Sequence, residues 1–265
     1  MTEAPPATGL VVDHVQIRFG GLVAVRDLSL TAPPGRITGL IGPNGAGKST
    51  TFDACSGFVT PASGRITFGG VDLTRAPTTR RAEVGIGRTF QRMQLFDHLP
   101  VRINVALGRE LGVAGRSPVT QLWSRRSERG AIAAAADDAL ALCGIEDLAE
   151  ERAGALSTGQ RRLVELARAL AGDFSLLLLD EPSSGLDVHE SQAFGELLER
   201  VVKTRGTGIL IVEHDMSLMA SICQWIYVLD FGQLIFEGPP EAVLASETVR
   251  AAYLGTEPLP EEVRS

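Results

Sequence analysis

Residues Gly42-Pro43-Asn44-Gly45-Ala46-Gly47-Lys48-Ser49 set glycines, a lysine and a hydroxyl at the spacing G-x-x-x-x-G-K-S. The glycines let the backbone wrap tightly, so that successive N–H groups can point inward at an anion. A helix starting at Lys48 would add the positive end of its dipole. In such a loop Lys48 reaches the β- and γ-phosphates of a nucleoside triphosphate and the Ser49 hydroxyl ligates Mg2+. Thr50, next along, can add a donor near the α-phosphate. A random chain of this composition would hold the pattern about 0.003 times, so chance does not account for it. Alone, the loop speaks for triphosphate chemistry, with water or with another acceptor.

Two aliphatic runs end in further candidates. Leu176–Leu179 leads into Asp180-Glu181, and Ile209–Val212 into Glu213-His214. A carboxylate at the end of a buried strand can hold Mg2+ through water, which is the chemistry of Asp180. Glu181, where the strand ends, can turn towards the γ-phosphate and take a proton from the attacking water. The same acidic pair could equally cap a following helix. His214 would project from its strand end towards the γ-phosphate. Leu156-Ser157-Thr158-Gly159-Gln160 precedes a helix, where the Ser157 hydroxyl and the Gly159 N–H form an anion site or a plain helix cap. No Cys/His cluster has metal-ligand spacing, and His14, His98 and His189 carry no functional expectation.

The elements that must position these groups alternate between strand and helix. Val11–Phe19 alternates apolar with polar, as do Leu28, Leu30 and Ala32, and Ile37–Ile41 is a short apolar strand entering the glycine-rich loop. Gly57 and Pro61 break the helix after Lys48, and Arg65–Phe68 is a further strand. From Val101 to about Gly154 a helical insertion is expected, with a Gly/Ser/Arg-rich middle at 112–130 and an Ala-rich helix at Ala131–Leu142. Arg161–Ala171 is helical, and Phe194, Leu197, Leu198, Val201 and Val202 share one helix face. Ile226–Leu229 and Leu234–Phe236 read as a hairpin, and Pro239 can start a helix. Such alternation argues for a mostly parallel sheet covered on both faces.

Composition bounds the rest. The chain has 265 residues, 44% hydrophobic and 22% charged, which excludes wholesale disorder. No apolar run approaches the ~18 residues of a membrane span. The opening MTEAPPATG has neither a basic stretch nor an apolar core, so no secretory signal is expected. A net charge of −7 argues against nucleic acid as a partner. Three widely spaced cysteines, Cys55, Cys143 and Cys223, read as free buried thiols. The basic run at Arg125–Arg129 reads as a solvated face.

Taken in order, the phosphate loop at 42–49, Gln91 in Phe90-Gln91-Arg92, LSTGQ at 156–160, the strand and carboxylates at 176–181, Ser184-Gly185-Leu186-Asp187 and His214 resemble the motif set of the ATP-binding-cassette (ABC) ATPases. GIGRTFQRMQLF (85–96), EHDM (213–216) and AAYLG (251–255) are similar to the ATPase subunits of branched-chain amino-acid importers. Thr158 stands where that subfamily usually has an aromatic residue or glycine, and Asp187 where it often has asparagine.

The resemblance implies an α/β fold: a P-loop NTPase (RecA-like) core, a small antiparallel β part from residues 10–40 and 60–75, and a helical subdomain at about 92–160. It implies one domain over 8–256 and a tail at 257–265. The cofactors implied are ATP and Mg2+. Gln91 would join Ser49 and Asp180 around the cation and sense it, Glu181 would activate water, and His214 would hold the γ-phosphate. Phe19 would stack on adenine, with core packing as the other reading. Ser157, Gly159 and Gln160 would meet the triphosphate held by a second cassette, the same chain or a paralogue, and Asp187 would sit at the dimer centre. Arg168 reads as a structural ion-pair partner, and Leu95 and Phe96 as lining a groove for a membrane subunit, or core. The implied partners are integral membrane permease subunits and, indirectly, a solute-binding protein, at the cytoplasmic face of the membrane. Importers of urea or amides, a non-transport ABC ATPase such as an Fe–S assembly type, and a small-acceptor kinase are the rival classes.

Overall fold

The computed structural model describes residues 9–89, 94–113 and 125–254. Two sheets organise the chain. A four-stranded antiparallel sheet has the order β2-β1-β4-β5, from β1 (Leu10–Phe19), β2 (Leu22–Ala32), β4 (Ser63–Phe68) and β5 (Val71–Asp72). A six-stranded sheet has the order β10-β9-β3-β8-β7-β6, from β3 (Ile37–Ile41), β6 (Ile86–Arg88), β7 (Leu176–Asp180), β8 (Gly208–Val212), β9 (Trp225–Asp230) and β10 (Gln233–Gly238). Its pairings are parallel except for β10, which closes a hairpin on β9. The expectation that 10–40 feeds the antiparallel part is corrected here. That sheet takes 10–32, whereas β3 pairs in parallel with β8 and β9 in the centre of the other sheet.

Burial explains the aliphatic runs. β3, β7 and β8 are buried along their whole length, as strands covered on both faces must be. Their side chains alternate between two cores. Ile41, Leu177, Leu179 and Ile211 join one core with α5 (Thr158–Ala171), α6 (Val188–Arg205) and α7 (Met216–Ile222). Leu40, Leu176, Leu178 and Leu210 join the other, against α1 (Lys48–Ser56) and the antiparallel sheet.

β1 shows why alternation alone misplaces a side chain. Leu10 and Val12 are buried, then Val15 and Ile17, so the inward phase shifts by one residue between them. The shift falls at a register break where His14 adopts φ 48°, a β-bulge. Phe19, in phase with Ile17, lies past the protected part of the strand and is 51% exposed.

The helical insertion comprises α3 (Val101–Val113) and α4 (Arg125–Cys143), both packed against α5. Gly108 lets α3 approach α5 closely; a Cβ there would run into the Arg168 carbonyl. The Gly/Ser/Arg-rich stretch expected at 112–130 lies largely outside the described residues, and the basic run at 125–129 falls in α4. Short α2 (Thr78–Glu83) carries the buried Arg81, which donates to the carbonyls of Cys55 (2.8 Å), Leu73 (2.5 Å) and Ala76 (3.3 Å). That guanidinium ties the end of α1 to the β5–α2 connection. Among the described residues the last elements are α8 (Pro240–Ala245) and α9 (Glu247–Leu254). All three cysteines are free and buried, and burial pushes the Cys55 and Cys143 thiols up to about 12.

Candidate functional site

Three strands of the parallel sheet deliver their carboxyl ends to one region, as expected of an α/β binding site. β3 runs into the loop 42–47, β7 ends at Asp180 and β8 leads to Glu213 and His214. The loop is held from inside and outside. Inside, the Lys48 ammonium donates to the carbonyls of Gly42 (2.6 Å) and Pro43 (2.9 Å). Outside, Gly232 N–H in the β9–β10 turn donates to the Ala46 carbonyl (3.1 Å) and Arg26 N–H to the Gly232 carbonyl (2.8 Å). Gly42 (φ 151°) is pressed against β9, where a Cβ would run into the Leu229 carbonyl. Asn44, Gly45 and Ser49 are exposed, Pro43, Gly47 and Thr50 half-buried, and Ala46 buried. Exposed loop positions beside a buried ammonium suit an anion arriving from solvent. Burial lowers the Lys48 pKa, and the Glu181 and Asp180 carboxylates pull it back up, so both acids lie within its field.

Asp180 is buried, and burial raises its carboxyl pKa against the opposing charge of Arg88, whose Nη2 lies 3.2 Å away. Glu181 adopts φ 48°, a costly conformation for a residue with a side chain. Its N–H bonds the Val212 carbonyl (2.9 Å), extending the β7–β8 ladder, and its Oε1 lies 2.9 Å from His214 Nε2. Neither acid caps the next helix: Asp187 does, accepting from Glu190 N–H (2.8 Å). Glu213, to which its sequence context assigns no role, is buried. Its Oε1 accepts from Ser183 N–H and Oγ (2.7 Å each), and its Oε2 from His214 N–H (3.2 Å). The histidine loop is thereby tied to the segment after Glu181. Burial raises the Glu213 pKa, and the bonds from Ser183 and His214 oppose the rise.

Ser157 begins α5 with a capping box: Gln160 N–H donates to Ser157 Oγ (3.2 Å) and Ser157 N–H to Gln160 Oε1 (3.0 Å). The cap reading and the anion reading are compatible, because a hydroxyl that accepts one bond still has its own proton to donate. The Gln160 side-chain oxygen is engaged in this box. Thr158 and Gly159 pack against Gly185 and Glu190 of the segment 184–190, and Arg162 donates to the Ser184 carbonyl (3.2 Å). Arg162 also bonds Glu165 (3.2 Å), which accepts from Gln94 N–H (2.9 Å), and Arg168 donates to the Gln94 carbonyl (2.5 Å). Arg168 is thus mainly a backbone clamp, 3.9 Å from Glu165. Gln91 lies outside the described residues.

Two clusters result. One gathers the loop 42–49 with Asp180, Glu181 and His214; the other gathers Ser157, Gly159 and Asp187. Among the described residues no three His, Cys, Asp or Glu side chains form a metal cage. Ser49 and Asp180 offer two oxygen donors, which suits a cation that takes its remaining oxygens from phosphates and water.

Comparison with known proteins identifies the family. The sequence profile of the ABC transporter family matches residues 25–184, and that of the branched-chain amino acid ATP-binding cassette transporters matches residues 233–258. The high-affinity branched-chain amino acid transport ATP-binding protein LivG of Escherichia coli is 36% identical over 249 residues, covering 93% of this chain and 97% of LivG. BraF of Pseudomonas aeruginosa, of the same description, is 36% identical over 251 residues, with 93% and 97% covered. Among solved structures, the ADP conformation of MJ1267, an ATP-binding cassette of an ABC transporter, superposes with a TM-score of 0.83 at 29% identity, covering 94% of this chain and 100% of that one. A phosphate loop, a carboxylate and histidine at neighbouring strand ends, and relatives matched over nearly their whole length make this chain a member of the ABC transporter family, a nucleotide-binding cassette ATPase with a P-loop α/β core.

Proposed function

We propose that the chain is the peripheral ATPase of an importer for a branched-chain amino acid or a related small solute, working as one of two paired cassettes. The observation that carries the catalytic part is Glu181 Oε1 at 2.9 Å from His214 Nε2, at the strand ends beside the phosphate loop. In this reading the loop N–H groups and Lys48 grip the triphosphate, Lys48 exchanging its two loop carbonyls for phosphate oxygens. Ser49 and Asp180, with Gln91, would hold Mg2+. Bound Mg2+ would neutralise charge on the β- and γ-phosphates and keep them aligned for attack. Glu181 accepts the proton of the attacking water, and His214 steadies the carboxylate and reaches the γ-phosphate. Ser157 and Gly159 of the second cassette complete the anion site, and Asp187 lies at the seam between the two.

Phe19 stacks on adenine in this scheme, which its exposure supports. Phe19→Ala is expected to weaken binding of a fluorescent ATP analogue about 5- to 150-fold, from the ~1–3 kcal/mol of base–aromatic stacking. Unchanged affinity would return Phe19 to a purely structural place.

A groove of about 870 Å³ opens between α2, β6 and the helical layer, with Phe58, Leu95, Phe96 and Phe174 among its walls. Phe96 is 57% exposed. Among the described residues no helix is long and apolar enough to cross a membrane, so the pathway would come from permease subunits, docked in this groove. Deleting the gene is expected to abolish high-affinity uptake of radiolabelled leucine, isoleucine or valine. The wild-type gene should restore it, and a Phe96→Glu copy should not, although its purified product keeps hydrolysing ATP. Undiminished uptake of all three amino acids in the deletion strain would remove the substrate assignment. Full uptake with Phe96→Glu would remove the groove from docking.

A further inference from the structure

Arg88 stands at the end of β6, paired in register with Leu178 of β7. Its side chain is only 10% exposed. Nη1 donates to Asp53 Oδ1 (2.7 Å) and Ser56 Oγ (2.6 Å), both on α1, and Nη2 to Asp180 Oδ2 (3.2 Å). The guanidinium carbon lies 5.9 and 5.6 Å from the ring centres of Phe52 and Phe58, within cation–π range. One rigid fork therefore joins the helix that begins with Lys48 and Ser49 to the strand that ends in Asp180. Asp53 is one helical turn beyond Ser49 on the same side of α1. The grip thus holds the helix that carries Ser49 against the end of the strand that carries Asp180. It engages Oδ2 of Asp180 and leaves Oδ1 for a cation or its water. A lysine has three donors on a single nitrogen and cannot divide them between two fixed nitrogens as this fork does.

We propose that Arg88 is a positioning residue for the divalent cation of the nucleotide site: by clamping Asp180 to Asp53 and Ser56 it fixes the two oxygen donors relative to each other and so sets the affinity for the metal. The proposal rests on the assignment of Ser49 and Asp180 to Mg2+ made above. A merely structural Arg88, neutralising two acids, would stabilise the fold without acting on the metal in particular.

Mn2+ serves as a paramagnetic substitute for Mg2+, and its binding to the ADP complex can be titrated by electron paramagnetic resonance. Arg88→Met is expected to weaken Mn2+ about 10- to 100-fold, the usual cost of losing a partner that orients a metal ligand. Affinity for a fluorescent ADP analogue in EDTA should stay within about twofold of wild type, because that readout contains no metal. Arg88→Lys, which keeps the charge and loses the fork, should fall between wild type and Arg88→Met. Unchanged or tighter Mn2+ binding in Arg88→Met overturns the proposal, as does an equal loss of metal-free ADP binding. If Arg88→Met does not fold, Arg88→Lys decides, and wild-type Mn2+ affinity there overturns the proposal. Asp180→Asn separates the two layers. If it leaves Mn2+ affinity intact, the cation assignment itself fails; if it weakens Mn2+ while the Arg88 variants do not, only the role of Arg88 fails.

Discussion

Glu181→Gln is expected to bind ATP as wild type does and to release phosphate about 10²–10⁴ times more slowly, the usual contribution of a positioned general base. The amide keeps the shape of the side chain and can still bond His214 Nε2, now 2.9 Å from the carboxylate. It cannot take a proton from water. Glu181 already occupies a strained φ of 48°, and the ladder bond from its N–H to the Val212 carbonyl holds it there; neither depends on the carboxylate charge. With hydrolysis stopped and binding intact, two cassettes should stay closed on their nucleotides. Size-exclusion chromatography with ATP should then show a dimer that the wild-type protein only visits. Phosphate release at the wild-type rate would take Glu181 out of the reaction, and a monomer with ATP bound would count against pairing with a second copy of this chain and leave a paralogue as the partner.

Lys48→Ala should act one step earlier, at binding. The ammonium closes the loop from within through the Gly42 and Pro43 carbonyls, and the Glu181 and Asp180 carboxylates partly offset the effect of burial on its pKa. Its removal takes away a charged hydrogen bond to phosphate, worth about 1.5–3 kcal/mol, and leaves two carbonyls without this donor. ATP affinity is expected to fall about 10- to 150-fold, and more if the loop also opens. Isothermal titration measures it directly. Lys48→Arg should not rescue binding, since a planar fork cannot replace a compact ammonium in so tight a turn. Affinity within about threefold of wild type in Lys48→Ala would mean that the loop N–H groups alone hold the triphosphate.

The parts legible in the sequence are those written contiguously. The loop 42–49 announces itself because its glycines, lysine and hydroxyl must be neighbours to wrap one anion. Leu176–Leu179 and Ile209–Val212 read as central strands because burial on both faces leaves only aliphatic residues. Ile37–Ile41 is equally plain as a strand, but a five-residue apolar run does not say which sheet it enters, and it was the parallel one. The bulge at His14 is not written in the alternation either, because it depends on pairing with β2 and β4. Charge pairs across the fold are the least visible. Arg88 meets Asp180, and Ser183 meets Glu213, only once the sheet has brought their strands together. From the sequence Arg88 is one of many arginines, and Glu213 is a neighbour of the histidine that drew attention.

The outer support of the phosphate loop has a consequence for biosynthesis. Residues 42–47 leave the ribosome about 185 residues before Gly232, which with Leu229 supports the loop. At translation rates of about 5–20 residues per second the interval is about 10–40 s. For that time the nascent polypeptide carries the phosphate loop without the hairpin that braces it. Competence to bind ATP is therefore expected only once the β9–β10 hairpin docks, and a product that terminates before it should retain the loop motif and bind ATP poorly.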